Sequence, residues 1–155
     1  MGSGKSTVGA MVADRAGAPF HDLDRMIEAE AGMPVQEIFA GEGEARFRDL
    51  ERRLLPEALT QGAVVALGGG AVIDDTSWHV VASRAVTVYL EVAFSTIWAR
   101  INDLGGRPLV AGRSREEVAS LFERRRPRYM EAAYRVDGDR PIEAVAGEVL
   151  QLWSA

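Results

Sequence analysis

The sequence contains no cysteine, which removes disulfides, thiol nucleophiles and cysteine-bound zinc or iron–sulfur centres. A chain without thiols suits a reducing compartment, and a cytoplasmic location is expected. Histidine is almost as scarce. His21 and His79 are the only two, far apart, and neither belongs to a two-histidine metal spacing such as H-E-x-x-H. No apolar run approaches the roughly 20 residues of a spanning helix, and the early apolar stretch from Val8 to Ala13 is interrupted by Asp14 and Arg15 before a signal-peptide core can form. No membrane association is expected. Excess positive charge is missing too: a formal net charge of -5 and a pI of about 5.1 repel polyanions, so nucleic acid is not an expected partner and any anionic ligand must be captured locally.

Lysine is the last scarcity and the most informative. Lys5 is the only one, while arginine fills the solvated cationic positions. A compact point charge is therefore kept at one place, where a guanidinium fork would be chemically different. That place is Gly2-Ser3-Gly4-Lys5-Ser6-Thr7.

What is present is ordinary for a globular protein: 155 residues, 47% hydrophobic and 26% charged, about one domain's worth spanning 1–155. Periodicity predicts a helix from Ser6 to Ala16 stopped by Gly17, a short extended stretch at 18–22, and a helix capped by Asp24 that runs to Ala31 before Gly32 and Pro34. Helix over 36–59 is broken near Gly41 and Gly43. The apolar runs 63–67 and 85–90 read as buried parallel strands, with helices at 76–83 and 94–103. Gly- and Arg-rich residues 105–113 read as a mobile loop. Ser114-Arg115-Glu116-Glu117 carries a capping-box signature for a helix towards Ala133, Tyr134 to Val136 reads as an edge strand, and Pro141 opens a last helix to about Trp153. Strands alternating with helices predict an α/β fold on a parallel sheet.

Backbone N–H groups from Gly2 to Thr7, converging at a helix start, form an anion nest suited to a nucleotide phosphate. Lys5 reaches the β/γ oxygens in such a loop, and the Ser6 hydroxyl takes a Mg²⁺ position. A flexible Gly/Ser terminus is the plainer reading, but the lone lysine and the helix behind it argue against it. The full phosphate-loop pattern needs a glycine five residues before Gly4 and a buried strand ahead of it, neither of which lies within this sequence. Two expectations follow: a gene product that starts upstream, or a sheet short of one central strand.

Several separated stretches resemble the shikimate kinases, a branch of the small P-loop kinases. They are Gly2 to Thr7, His21-Asp22-Leu23-Asp24, Gly43 to Glu51 with Phe47-Arg48, Leu67-Gly68-Gly69-Gly70-Ala71-Val72, Arg107-Pro108-Leu109, and Arg124 to Tyr129. Their order and spacing fit the family across essentially the whole chain, apart from its first strand. The resemblance implies a three-layer α/β/α sandwich with a parallel sheet and a mobile lid at about 102–114. It implies ATP-dependent phosphorylation of shikimate to shikimate 3-phosphate, a step towards chorismate and aromatic amino acids, by a cytoplasmic monomer that uses Mg²⁺.

Residue by residue, the resemblance gives Gly2, Ser3, Gly4, Lys5, Ser6, Thr7, Arg100, Arg107 and Arg140 to the nucleotide, with Lys5, Asp24 and Arg107 catalytic. It gives Asp24, Arg48, Gly68, Gly69, Gly70 and Arg125 to shikimate, and Ser6 and Asp22 to the metal. Physical roles accompany these assignments. Asp24 accepts from substrate hydroxyls; Arg48 and Arg125 present planar forks to a carboxylate; Glu51, at i+3 from Arg48, holds that arginine. Arg107 neutralises charge on the transferring phosphoryl group. Two alternatives remain open on the residues: gluconate kinase or another small-metabolite P-loop kinase, and an inactive nucleotide-binding remnant short of its first strand.

Overall fold

A computed structural model describes residues 2–103 and 112–154. Helix α1 (Lys5–Ala16) starts at Gly4, whose φ of 85° only glycine adopts without strain. It ends in a Schellman arrangement: the Ala18 N–H donates to the Ala13 carbonyl at 2.9 Å and the Gly17 N–H to that of Asp14 at 3.2 Å. Strand β1 (Phe20–Asp22) runs directly into α2 (Leu23–Ala31). The residue that caps α2 is Asp22, not Asp24 as expected from the sequence. Asp22 is still extended (φ -106°, ψ 113°), so it holds the non-helical position and accepts from the Asp24 N–H at 3.1 Å, which leaves Asp24 in the first helical turn.

Gly32 stops α2, Pro34 precedes α3 (Val35–Gly41), and α4 (Gly43–Ala58) follows after one residue. Strand β2 (Val64–Ala66) leads through the glycine turn at 68–70 to α5 (Asp75–Arg84), capped by Asp74 on the Ser77 N–H. Then come β3 (Val88–Glu91), α6 (Phe94–Asp103), α7 (Arg115–Tyr129), β4 (Tyr134–Asp137) and α8 (Ile142–Trp153). The capping box of α7 is formed in both directions, Ser114 with Glu117. That helix stops at Tyr129 rather than near Ala133, two residues after Pro127, which removes a backbone donor from the last turn.

All strand pairing is parallel. β1 pairs with β2, Phe20 opposite Val64 and Asp22 opposite Ala66; β3 pairs with β4, Val88 opposite Tyr134 and Glu91 opposite Asp137. Among the described residues β2 and β3 do not pair with each other, so each keeps one edge without a strand partner. Helices nevertheless cover both faces. Val64 packs into a cluster with Val8 and Val12 of α1, Val136 of β4 and Val145 of α8, while its neighbour Val65 packs into the opposite cluster built by Leu23, Ile27, Ile38, Phe47, Leu50 and Leu55. Alternate residues of one strand thus face different helical layers, the signature of a three-layer α/β/α sandwich. A third cluster joins Ile97 and Ile101 of α6 to Val118 of α7.

The parallel register positions the site. With Asp22 opposite Ala66, both strands deliver their next residues, Leu23-Asp24 and Leu67-Gly68, to the same carboxyl-end edge, where open α/β sheets hold their ligands.

Two helical glycines separate room from propensity. A Cβ on Gly9 in α1 would lie 2.8 Å from the Phe20 ring of β1, whereas one on Gly147 in α8 would meet nothing within 4 Å. Gly147→Ala is expected to raise stability by about 0.5–1 kcal/mol in urea titrations. Gly9→Ala is expected to lower it despite the same gain in propensity, because the helix must move off the strand.

Candidate active site

Helix α1 begins with its donors free. Gly4 supplies no side-chain cap and no acidic residue sits in the first turn, so its N-terminal N–H groups are open to an anion from outside. Gly2 and Gly4 have φ of 62° and 85°, the left-handed conformation that curls consecutive N–H groups into one nest. In front of them lies a cavity of about 330 Å³ lined by Gly2, Ser3, Gly4, Lys5, Ser6 and Thr7 together with Arg100 and Arg140. Residues from three distant stretches therefore meet in one place. Arg100 donates to the Gly2 carbonyl at 3.2 Å, tying α6 to the loop; Arg140 is paired with Glu148 and donates to the Asp137 carbonyl at 3.2 Å.

Beside this cavity four side chains form a chain of contacts. The Ser6 hydroxyl donates to Asp22 Oδ2 at 2.5 Å, Lys5 Nζ lies 3.5 Å from Ser6 Oγ, and the same ammonium lies 3.8 Å from Asp24 Oδ2. Asp22 is 7% exposed and spends its other oxygen on capping α2. A hydroxyl and a carboxylate oxygen side by side are hard donors, few in number, as suits Mg²⁺, which keeps waters and phosphate oxygens as its other ligands. The donor set fits that ion.

On the far side of Asp24 stands the glycine turn. Gly68 and Gly70 lie outside the left-handed region, so the need for glycine at these two positions is space rather than φ. A Cβ on Gly68 would lie 2.9 Å from Asp24 Oδ1 and 3.3 Å from Glu51 Oε1; one on Gly70 would lie 2.7 Å from Cζ of Arg48. The guanidinium of Arg48 thus rests against the bare backbone of Gly70. It is clamped by Glu51 Oε2 at 2.6 Å and Glu44 Oε1 at 3.1 Å, and its Cζ lies 5.2 Å from the Phe47 ring centroid.

Glu51 is buried at 4% exposure, with Oε1 lacking a hydrogen-bond partner among the described residues. Burial pushes its carboxyl above the usual range and Asp24 adds to that, while Arg48 and, more weakly, Arg125 pull it back. Opposite stands Tyr129 at the end of α7, its hydroxyl donating to the Gly69 carbonyl at 2.7 Å. Burial raises the Tyr129 hydroxyl against the opposing influence of Arg125 and Arg48, which places Arg125 at the same spot. Asp24, Arg48, Arg125 and the three glycines are accordingly gathered around one turn.

The arginine run 124–128 is dispersed by its helix rather than presented as a patch. Arg125 lies within reach of the Tyr129 hydroxyl, Arg124 bonds Ser120, Arg126 pairs with Glu91 at 3.1 Å, and Arg128 pairs with Asp75 and Glu131 while lying over Trp78. Arg107 and most of the lid expected at 102–114 lie outside the described residues. The sequence reading missed the use of Phe47 as a floor for Arg48 and of Tyr129 as a partner for the turn. An aromatic directly before Arg48, and one at i+4 from Arg125, are the signals that pointed to them.

The family model described as shikimate kinase matches residues 1–153. The shikimate kinase of Salinibacter ruber is 42% identical over 166 residues, covering 100% of this chain and 81% of that protein. The structure of shikimate kinase from Acinetobacter baumannii in complex with shikimate superposes with a TM-score of 0.92 at 33% identity, covering 98% of this chain and 87% of that one. A gluconokinase from Sinorhizobium meliloti reaches a TM-score of 0.60 at 18% identity over 99% of this chain and 87% of its own, a likeness of fold alone. With the motifs, the sandwich and these relatives in agreement from end to end, the chain belongs to the shikimate kinase family.

Proposed function

We propose that this chain transfers the γ-phosphoryl group of ATP to the 3-hydroxyl of shikimate, acting as a monomer in the cytoplasm. The observation that carries this reading is the Lys5–Asp24 contact of 3.8 Å. It is the point where the phosphate cavity meets the arginine-lined glycine turn.

The chemistry follows from that junction. The loop N–H groups and Lys5 hold the β- and γ-phosphates; Arg48 and Arg125 take the shikimate carboxylate as planar forks. Grip at the carboxylate fixes the ring so that one hydroxyl falls beside Asp24 and in line with the γ-phosphorus. Asp24 accepts the hydroxyl proton as the new O–P bond forms and the bond to the bridging β–γ oxygen breaks, leaving ADP. Lys5, released from Asp24 when the nucleotide enters, spreads its charge over the departing oxygens. Mg²⁺ beside Ser6 and Asp22 would supply further neutralisation of phosphate charge. Arg107, which lies outside the described residues, is assigned the charge on the phosphoryl group itself.

Gluconate kinase is disfavoured as an alternative because it leaves the fit of Arg48 against Gly70 without a use. Parallel coupled assays with shikimate and gluconate decide: turnover with gluconate and none with shikimate overturns the proposal.

Three substitutions test the roles. Lys5→Ala is expected to lower kcat by about 10²–10³, measured with both substrates saturating. Arg48→Ala is expected to raise the shikimate KM about 10- to 100-fold, the loss of one charge-assisted bond of ~1.5–3 kcal/mol, and to leave the ATP KM close to its original value. Glu51→Gln reports the buried carboxyl through the pH dependence of stability. Because folded Glu51 holds its proton more tightly than an unfolded glutamate, its contribution is full below about pH 4.3 and declines as pH rises through the higher folded value. Relative to wild type, the Gln variant should therefore gain in Tm from pH 4 to pH 8.

A further inference from the structure

The glycine turn is held on two sides by groups whose use is already clear, Asp24 with Glu51 at Gly68 and Arg48 at Gly70. Its third side is held by a single hydrogen bond, from the Tyr129 hydroxyl to the Gly69 carbonyl, between residues 60 positions apart. Tyr129 is on the same face of α7 as Arg125, four residues earlier. The Arg48 side of the site belongs to α4 and the Arg125 side to α7. Between Arg48 and Tyr129 stands a turn of three glycines, a deformable kind of backbone. Its internal bonds, Ala71 N–H to Gly68 O at 3.0 Å and Ile73 N–H to Gly70 O at 3.1 Å, shape the turn but do not locate it relative to α7. The phenol does so.

We infer that Tyr129 is a positioning residue for shikimate, setting the separation of the Arg48 and Arg125 guanidinium groups by fastening the Gly69 carbonyl to α7. This rests on the proposed reaction and deepens it. The hydroxyl touches no reacting atom and lies apart from the phosphate cavity, whose lining does not include it. Its loss should therefore act on one substrate and not on the other. The ring itself is held independently by Tyr89, centroid to centroid 5.5 Å, so removal of the hydroxyl leaves the packing in place.

The test is Tyr129→Phe in the full chain, read by steady-state kinetics, thermal melting and amide hydrogen exchange. Expected are a shikimate KM raised about five- to tenfold, kcat and ATP KM within twofold of wild type, Tm within about two degrees, and faster exchange confined to the Ala71 and Ile73 amides. An unchanged shikimate KM, or unchanged exchange at those amides, overturns the inference. So does a parallel rise of both KM values with a lowered Tm, the pattern of a merely structural residue. A wild-type chain that does not turn over shikimate would sink the proposed reaction instead, and the exchange comparison would still decide whether the phenol fastens the turn.

Discussion

Everything in the site depends on backbone that has no side chains to put in the way. At Gly68 the main chain passes within van der Waals reach of two carboxylates, and at Gly70 it passes under a guanidinium. A Cβ at these points would make the Asp24 side chain at Gly68 and the Arg48 guanidinium at Gly70 give way. The turn therefore works as a spacer. It lets a cation and two anions approach from different helices with only peptide backbone between them.

The electrostatics follow from that crowding. Asp24 lies between Lys5 on one side and Glu51 on the other, so its surroundings are balanced only while both neighbours are in place. Arg48, confined against Gly70, offsets part of the burial cost of an ionised Glu51. One arginine thus steadies a buried acid, which a solvated i,i+3 pair worth a few tenths of a kcal/mol would not do.

Much of this was legible in the sequence where the physics is local. Gly17 and Gly32 end helices because their backbone takes φ of 61° and 69°; Ser114 and Glu117 close a capping box; the apolar run around Val64 and Val65 forms a strand covered on both faces. The lone lysine marked the phosphate cavity for a chemical reason. Local rules failed where tertiary placement decides. Asp22 and Asp24 are both plausible caps, and only the length of β1 selects Asp22. Periodicity carried α7 past Tyr129, although Pro127 lay in plain view. The absence of pairing between β2 and β3 among the described residues is likewise invisible to composition, because strand order is a property of the sheet and not of any segment.

That open seam bears on how the two halves of the site are kept together. β1 carries Asp22 and leads to Asp24, and β2 leads to the glycine turn; β3 precedes α6, which carries Arg100, and β4 precedes the turn that carries Arg140. No ladder of backbone hydrogen bonds joins the two pairs among the described residues, so their alignment falls to contacts of other kinds. Helix α1 spans the seam, packing on β1 and β2 and on α8, and its Val8 and Val12 share a cluster with Val88, Leu90 and Val136 from the other pair. Arg100 adds a bond to the Gly2 carbonyl at 3.2 Å. The helix whose N-terminus faces the phosphate cavity is thus also the beam between the two strand pairs. A ligand that orders the N-terminus of α1 stabilises the alignment it depends on, since binding energy is returned to whichever state holds the site assembled.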